Sequence, residues 1–165
     1  MADKTLSERL QPSLLDRLTD TEPGTLKESR DHRVIDISRL REIIQRDLSW
    51  LLNTNNIEST LDMEAFPNVA TSVLNYGVRE VSGEFSTAER AERIRRSIER
   101  AISIHEPRII EGTVDVTLSP DDAEGEMTVA LIIRADMWAQ PLSMELYLRS
   151  KVDVTTGEVR VDGGA

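Results

Sequence analysis

The sequence predicts an α+β fold in which N-terminal helices pack on a small C-terminal antiparallel sheet. Apolar residues recur at spacings of three and four in two long stretches before Pro107, the period drops to two after it, and helices therefore precede strands. That order favours segregated layers over the alternating units of a parallel sheet. A length of 165 residues fits one main domain, residues 36–165, preceded by an N-terminal segment, residues 1–35, with a short helix and a loop.

In the opening segment Leu10, Leu14, Leu15 and Leu18 form a short apolar cluster bounded by Pro12, Pro23 and Gly24. One or two helical turns are not stable alone, so this helix must dock on the body or on another protein. The first long helix runs from about Ile37 to Leu52, with Leu40, Ile43, Ile44, Leu48, Leu51 and Leu52 on its buried face and Asp36 or Ser38 as its cap. Asn53-Thr54-Asn55-Asn56 ends it, because short polar side chains compete for backbone hydrogen bonds and favour turns.

Pro67, Gly77 and Gly83 punctuate the stretch that follows, within which Val69 to Gly77 reads as a short helix stopped by glycine. Ser86-Thr87-Ala88-Glu89 fits a capping box for a second long helix, with Ile94, Ile98, Ala101 and Ile102 buried and Pro107 as its stop. Val114, Val116 and Leu118 then alternate with polar neighbours, as do Met127, Val129, Leu131 and Ile133. A third strand carries Leu142, Met144, Leu146 and Leu148 inward and extends towards Val154. Thr155-Thr156-Gly157 turns the chain into a short last strand, Glu158 to Asp162.

Composition removes several function classes. Twenty Lys and Arg against thirty Asp and Glu give a net charge of -10, which phosphate backbones repel, so no nucleic-acid partner is expected. No run approaches the roughly 20 apolar residues of a membrane span, and the N-terminus lacks the apolar run of an export signal, so direct membrane insertion is not expected. The absence of Cys excludes thiolate metal sites, thiol nucleophiles and disulfides, and suits a reducing cytoplasm.

No catalytic residue, metal or cofactor is expected either. His32 and His105 lie in different segments without metal-ligand spacing, and neither a phosphate-cradling glycine loop nor a G-x-S-x-G elbow is present. Paired carboxylates for glycoside hydrolysis can be drawn at will from thirty acids and carry little information. Two Trp and two Tyr also offer little surface for stacking sugars.

One place breaks a local rule. Glu106 puts negative charge at the negative end of a helix dipole, so something should compensate it. Pro107 fixes the turn into the first strand, so Glu106 and Arg108 are expected to project from a rigid corner. Two readings of that corner are open: a solvated surface pair, or an acid and a guanidinium fork offered to a partner. The second long helix also carries Arg90, Arg93, Arg95, Arg96 and Arg100 on what reads as its outer face. Glu89 with Arg93 and Glu92 with Arg96 stand in favourable order, which leaves Arg95 and Arg100 for an acidic neighbour.

Asp47-Leu48-Ser49-Trp50-Leu51-Leu52-Asn53-Thr54, then Val73-Leu74-Asn75-Tyr76-Gly77, then Glu106-Pro107-Arg108, together resemble the TssE family of type VI secretion baseplate subunits, which is related to a contractile-phage baseplate wedge protein. The similarity runs from about Leu14 to the last strand. Trp50 and Asn55 depart from it, standing where other residues are more typical of the family, such as an arginine after Asn-Thr.

The resemblance implies a non-catalytic subunit in the cytoplasm, in a baseplate docked at the inner membrane, that joins the wedge and initiates contractile sheath assembly. It implies partners among the wedge subunits TssF, TssG and TssK and the sheath subunits TssB and TssC, with Glu106, Pro107 and Arg108 as the assembly contact. Family members are often labelled lysozyme-like, so the alternative is a small peptidoglycan glycoside hydrolase with Glu106 as its acid. The family's sheet is thought to template the first sheath ring, and the last strand offers an edge for that pairing. An ordinary edge with a loose tail fits the residues equally.

Overall fold

The computed structural model describes residues 13–20, 23–24, 37–80, 88–119, 127–138 and 143–163. Three helices precede a four-stranded antiparallel sheet, so the fold is α+β with its layers in the expected order. Helix α1 is Leu14–Leu18, α2 is Ile37–Leu52 and α3 is Ala88–His105. The strands β1 (Asp115–Leu118), β2 (Thr128–Met137), β3 (Met144–Asp153) and β4 (Val159–Gly163) lie side by side in chain order.

The apolar stripe of α2 is fully buried at Leu40, Ile43, Ile44, Leu48, Leu51 and Leu52, and that of α3 at Ile94, Ile98, Ala101 and Ile102. Both stripes face one side of the sheet. Register sets Val129 opposite Val152, Leu131 opposite Ser150, Ile133 opposite Leu148 and Ala135 opposite Leu146 on that side, where all eight are buried. Each fully buried Leu or Ile contributes about 1.5–3 kcal/mol relative to exposure, so this interlayer seam dominates the stability. The opposite face carries Arg134 over the Tyr147 ring, 5.6 Å from its centroid.

Four local expectations are revised. Val69–Gly77 is not a helix; only Val73–Asn75 forms a single 3-10 turn, capped by Ser72. Val73 and Leu74 are 81% and 67% exposed and only the polar Asn75 of the turn is buried, so no apolar stripe is present to hold a longer helix. Arg90 does not lie on the outer face of α3. It falls four residues before Ile94, on the buried stripe, is 2% exposed, and donates to the Val154 carbonyl at 3.0 Å.

Arg95 is likewise engaged. It bonds Glu92 at 2.9 Å and Glu99 at 2.7 Å, while Arg100 lies 3.6 Å from Glu58. The expected Glu92–Arg96 pair forms at 2.9 Å. Between them Arg95 and Arg96 pull the Glu92 carboxyl down to about 2.

The leucines of α1 do not hold it to the body, since Leu14, Leu15 and Leu18 are all exposed. The helix is attached by Asp16, which accepts from Arg46 of α2 at 2.6 Å. Of the proposed caps, Ser38 sits inside α2, whereas Asp36 and Ser86 lie outside the described residues, as do Leu10, Leu142, His32 and Gly83.

Gly77 is positioned by necessity. At φ +119° it brings Val78 alongside the end of α2, where the Val78 N–H donates to the Thr54 carbonyl at 2.8 Å and Asn56 N–H to the Val78 carbonyl at 2.9 Å. A Cβ at Gly77 would lie 2.1 Å from the Thr54 oxygen.

Candidate functional site

The corner at the end of α3 folds inward. The Glu106 N–H still donates to Ile102 at 3.0 Å, completing the last turn, and Pro107 then forces the chain out of helical geometry. Glu106, expected to project, is only 6% exposed. Pro107 is exposed, and the Arg108 side chain is 27% exposed.

The compensation that the helix dipole demands comes from Arg108. Its Nε donates to Glu106 Oε1 at 2.6 Å, its Nη2 to Oε2 at 2.5 Å and its backbone N–H to Oε1 at 3.1 Å. Burial alone would lower the Arg108 pKa. The bonds and charge of Glu106, with those of Asp47, outweigh it and hold the guanidinium above its ordinary value.

The corner is tied to α2 and α1 by a chain of alternating charges. Arg108 Nη2 donates to Asp47 Oδ2 at 2.7 Å, Arg46 donates to Asp47 Oδ1 at 2.6 Å, and Arg46 reaches Asp16 at 2.6 Å. Ser13 closes the far end on the other oxygen of Asp16 at 2.5 Å. The Arg46 guanidinium also stacks 4.8 Å above the Trp50 ring. Tyr76 packs edge-on against His105 at 5.3 Å, and burial, together with the charges of Asp47 and Glu106, pushes its hydroxyl pKa up.

Beside this network lies a groove of about 530 Å³ lined by Leu15, Ile43, Trp50, Tyr76, Pro107 and Arg108, among others. Trp50 is 51% exposed at its mouth. The three motif segments singled out in the sequence thus converge: Asp47 and Trp50 from the first, Tyr76 from the second, and all of Glu106-Pro107-Arg108. The arrangement offers an apolar cleft with a fixed guanidinium at its rim, which suits recognition of another surface.

The borders of the sheet are also built with side chains. On β4 the Val159 N–H donates to Asn53 Oδ1 at 2.8 Å and its carbonyl accepts from Asn53 Nδ2 at 2.8 Å, while Gln45 donates to the Val161 carbonyl at 2.8 Å. On β1 the Val116 carbonyl accepts from Arg95 at 3.2 Å. Sequence reasoning missed Asn53 and Gln45. The one available signal was that Asn53 falls at a helix end inside a motif segment.

Residues 38–142 match the family described as baseplate wedge protein gp25, a span that includes α2, the Asn-Tyr-Gly loop, α3 and the corner. The chain belongs to that family. A baseplate wedge protein works as a structural part of a phage-tail-like machine. No curated protein and no solved structure matches the chain. Among the described residues, no group of His, Asp or Glu is arranged to hold a metal ion, and no helix is long and apolar enough to cross a membrane.

Proposed function

We propose that this wedge protein is the type VI secretion counterpart of its family: a non-catalytic cytoplasmic subunit, in a baseplate docked at the inner membrane, that joins TssF, TssG and TssK and starts assembly of the TssB and TssC sheath. The family match over residues 38–142 carries the reading, because it spans all three motif segments that line the corner. In this reading Pro107 and Arg108 meet the partner directly, with the Trp50 groove beside them, and Glu106 acts by fixing the guanidinium. The β4 edge receives a sheath strand. A carboxylate that accepts three N–H bonds from one arginine is an acceptor held in place, a poor arrangement for a general acid.

Substitution at Trp50 separates docking from folding, since the ring is half exposed and its removal from the surface leaves the core untouched. Trp50→Glu should keep the far-UV spectrum and melt within a few degrees of the parent. It should fail to co-purify with the wedge subunits from cells expressing the whole secretion cluster, and sheaths should not extend. Normal sheath extension in folded Trp50→Glu protein removes the groove as a docking site.

A further inference from the structure

The two borders of the sheet differ in how they are closed. The Asp153 N–H bonds the Glu158 carbonyl at 2.9 Å, and the register then runs Val152 to Val159, Lys151 to Arg160 and Ser150 to Val161. In an antiparallel pair the bonded positions alternate, so Arg160 and Asp162 turn their peptide groups to β3, while Val159, Val161 and Gly163 turn theirs outward. Those outward groups are met by side chains of α2 and of Asn53, the residue that follows it. Asn53 gives Val159 one donor and one acceptor, the pair of bonds that a residue of a neighbouring strand would give, and Gln45 gives Val161 the donor of the next pair. On the β1 border Arg95 donates to the Val116 carbonyl, and Glu92 and Glu99 already hold that arginine.

We propose that β4 is an exchangeable edge, in which Asn53 and Gln45 hold the places of an extended strand from a partner and yield to it bond for bond. This rests on the reading that β4 receives a sheath strand. A carboxamide reproduces the polar half of a peptide group and can leave by side-chain rotation alone, with α2 intact. Asn53 is exposed, so an approaching strand can reach it. Three side-chain bonds are given up and three main-chain bonds replace them, which makes the first steps of exchange nearly neutral. Further pairs along Val161 to Gly163 then favour the partner. An edge satisfied in this way is also protected from pairing with the wrong chain before its partner arrives.

The test uses the full chain carrying Asn53→Ala and Gln45→Ala together, compared with the parent by sedimentation and by amide hydrogen exchange. The variant should remain folded, its Val159 amide, which Asn53 holds in the parent, should exchange at least tenfold faster, and it should self-associate at least tenfold more tightly. Adding Val161→Pro, which removes an outward N–H and spares the ladder to β3, should reverse the association. A folded double variant that sediments as the parent does, with β4 amides unchanged, overturns the proposal. Sheath extension in cells separates the two readings. Val161→Pro alone, folded as the parent and extending sheaths at the parental rate, leaves the exchangeable edge standing and removes the sheath as its partner.

Discussion

Removing the Arg108 side chain should destabilise the protein through Glu106. Arg108→Ala deletes both side-chain bonds to Glu106 and the 2.7 Å bond to Asp47, and leaves a carboxylate only 6% exposed at the end of α3 without its cation. Breaking a buried pair from one side costs about 3–5 kcal/mol. Because the Arg108 side chain is 27% exposed, water can reach the vacated space, which places the expected loss near the lower end, about 3 kcal/mol. For a chain of this size about 1 kcal/mol corresponds to roughly 2–4 °C, so the melting temperature should fall by roughly 6–12 °C. Glu106→Leu with Arg108→Met removes both charges and should restore most of the loss, since apolar replacements of a buried pair are close to neutral. Urea and thermal unfolding of the parent, both single variants and the double give the coupling directly. A loss below about 1 kcal/mol in Arg108→Ala, or a double variant whose loss equals the sum of the singles, would show that the pair is solvated and the corner is not an internal clamp.

Two further outcomes test the supports of this corner. Gly77→Ala meets the Thr54 carbonyl at 2.1 Å with φ at +119°, so strain and overpacking together should cost about 2–4 kcal/mol, read by urea unfolding; a loss under about 1 kcal/mol would contradict it. Asp16 tests the attachment of α1. Burial raises its pKa, but hydrogen bonds from Arg46 and Ser13 outweigh that and hold it below the ordinary carboxylate value. Its stabilisation is therefore full above about pH 4 and disappears as pH falls through the depressed value. In a Trp138→Phe background, Trp50 fluorescence of Asp16→Asn should differ from the parent at pH 7, and the difference should shrink on acidification below about pH 4. A difference that stays constant down to the acid unfolding transition would disconnect Asp16 from the groove.

The layers were legible because burial imposes a period. The stripe of α2 from Leu40 to Leu52 and the alternation from Val129 to Ile133 report directly which face is inside, and the bounds of α2 follow from Ile37 and the asparagines after Leu52. At the corner the dipole conflict at Glu106 correctly signalled a missing cation, and Arg108 supplies it. That the pair turns inward was not legible, since it depends on Asp47, which lies 61 residues away in sequence. Arg90 was misplaced because charge was allowed to override its position four residues before Ile94. The capping of β4 by Asn53 was marked only by its place at a helix end inside a motif segment, because a helix-ending asparagine looks the same whether its amide meets water or a strand.

Helix α2 is finished by parts of the chain made much later. Asn53, the residue after it, waits 106 residues for Val159, and its Gln45 waits 116 for Val161. At ribosomal speeds of about 5–20 residues per second, that is roughly 5–20 seconds in which the Ile44 and Leu48 stripe has been synthesised but β4 has not. During that interval the apolar stripe of the helix is without the last strand that it meets in the finished fold.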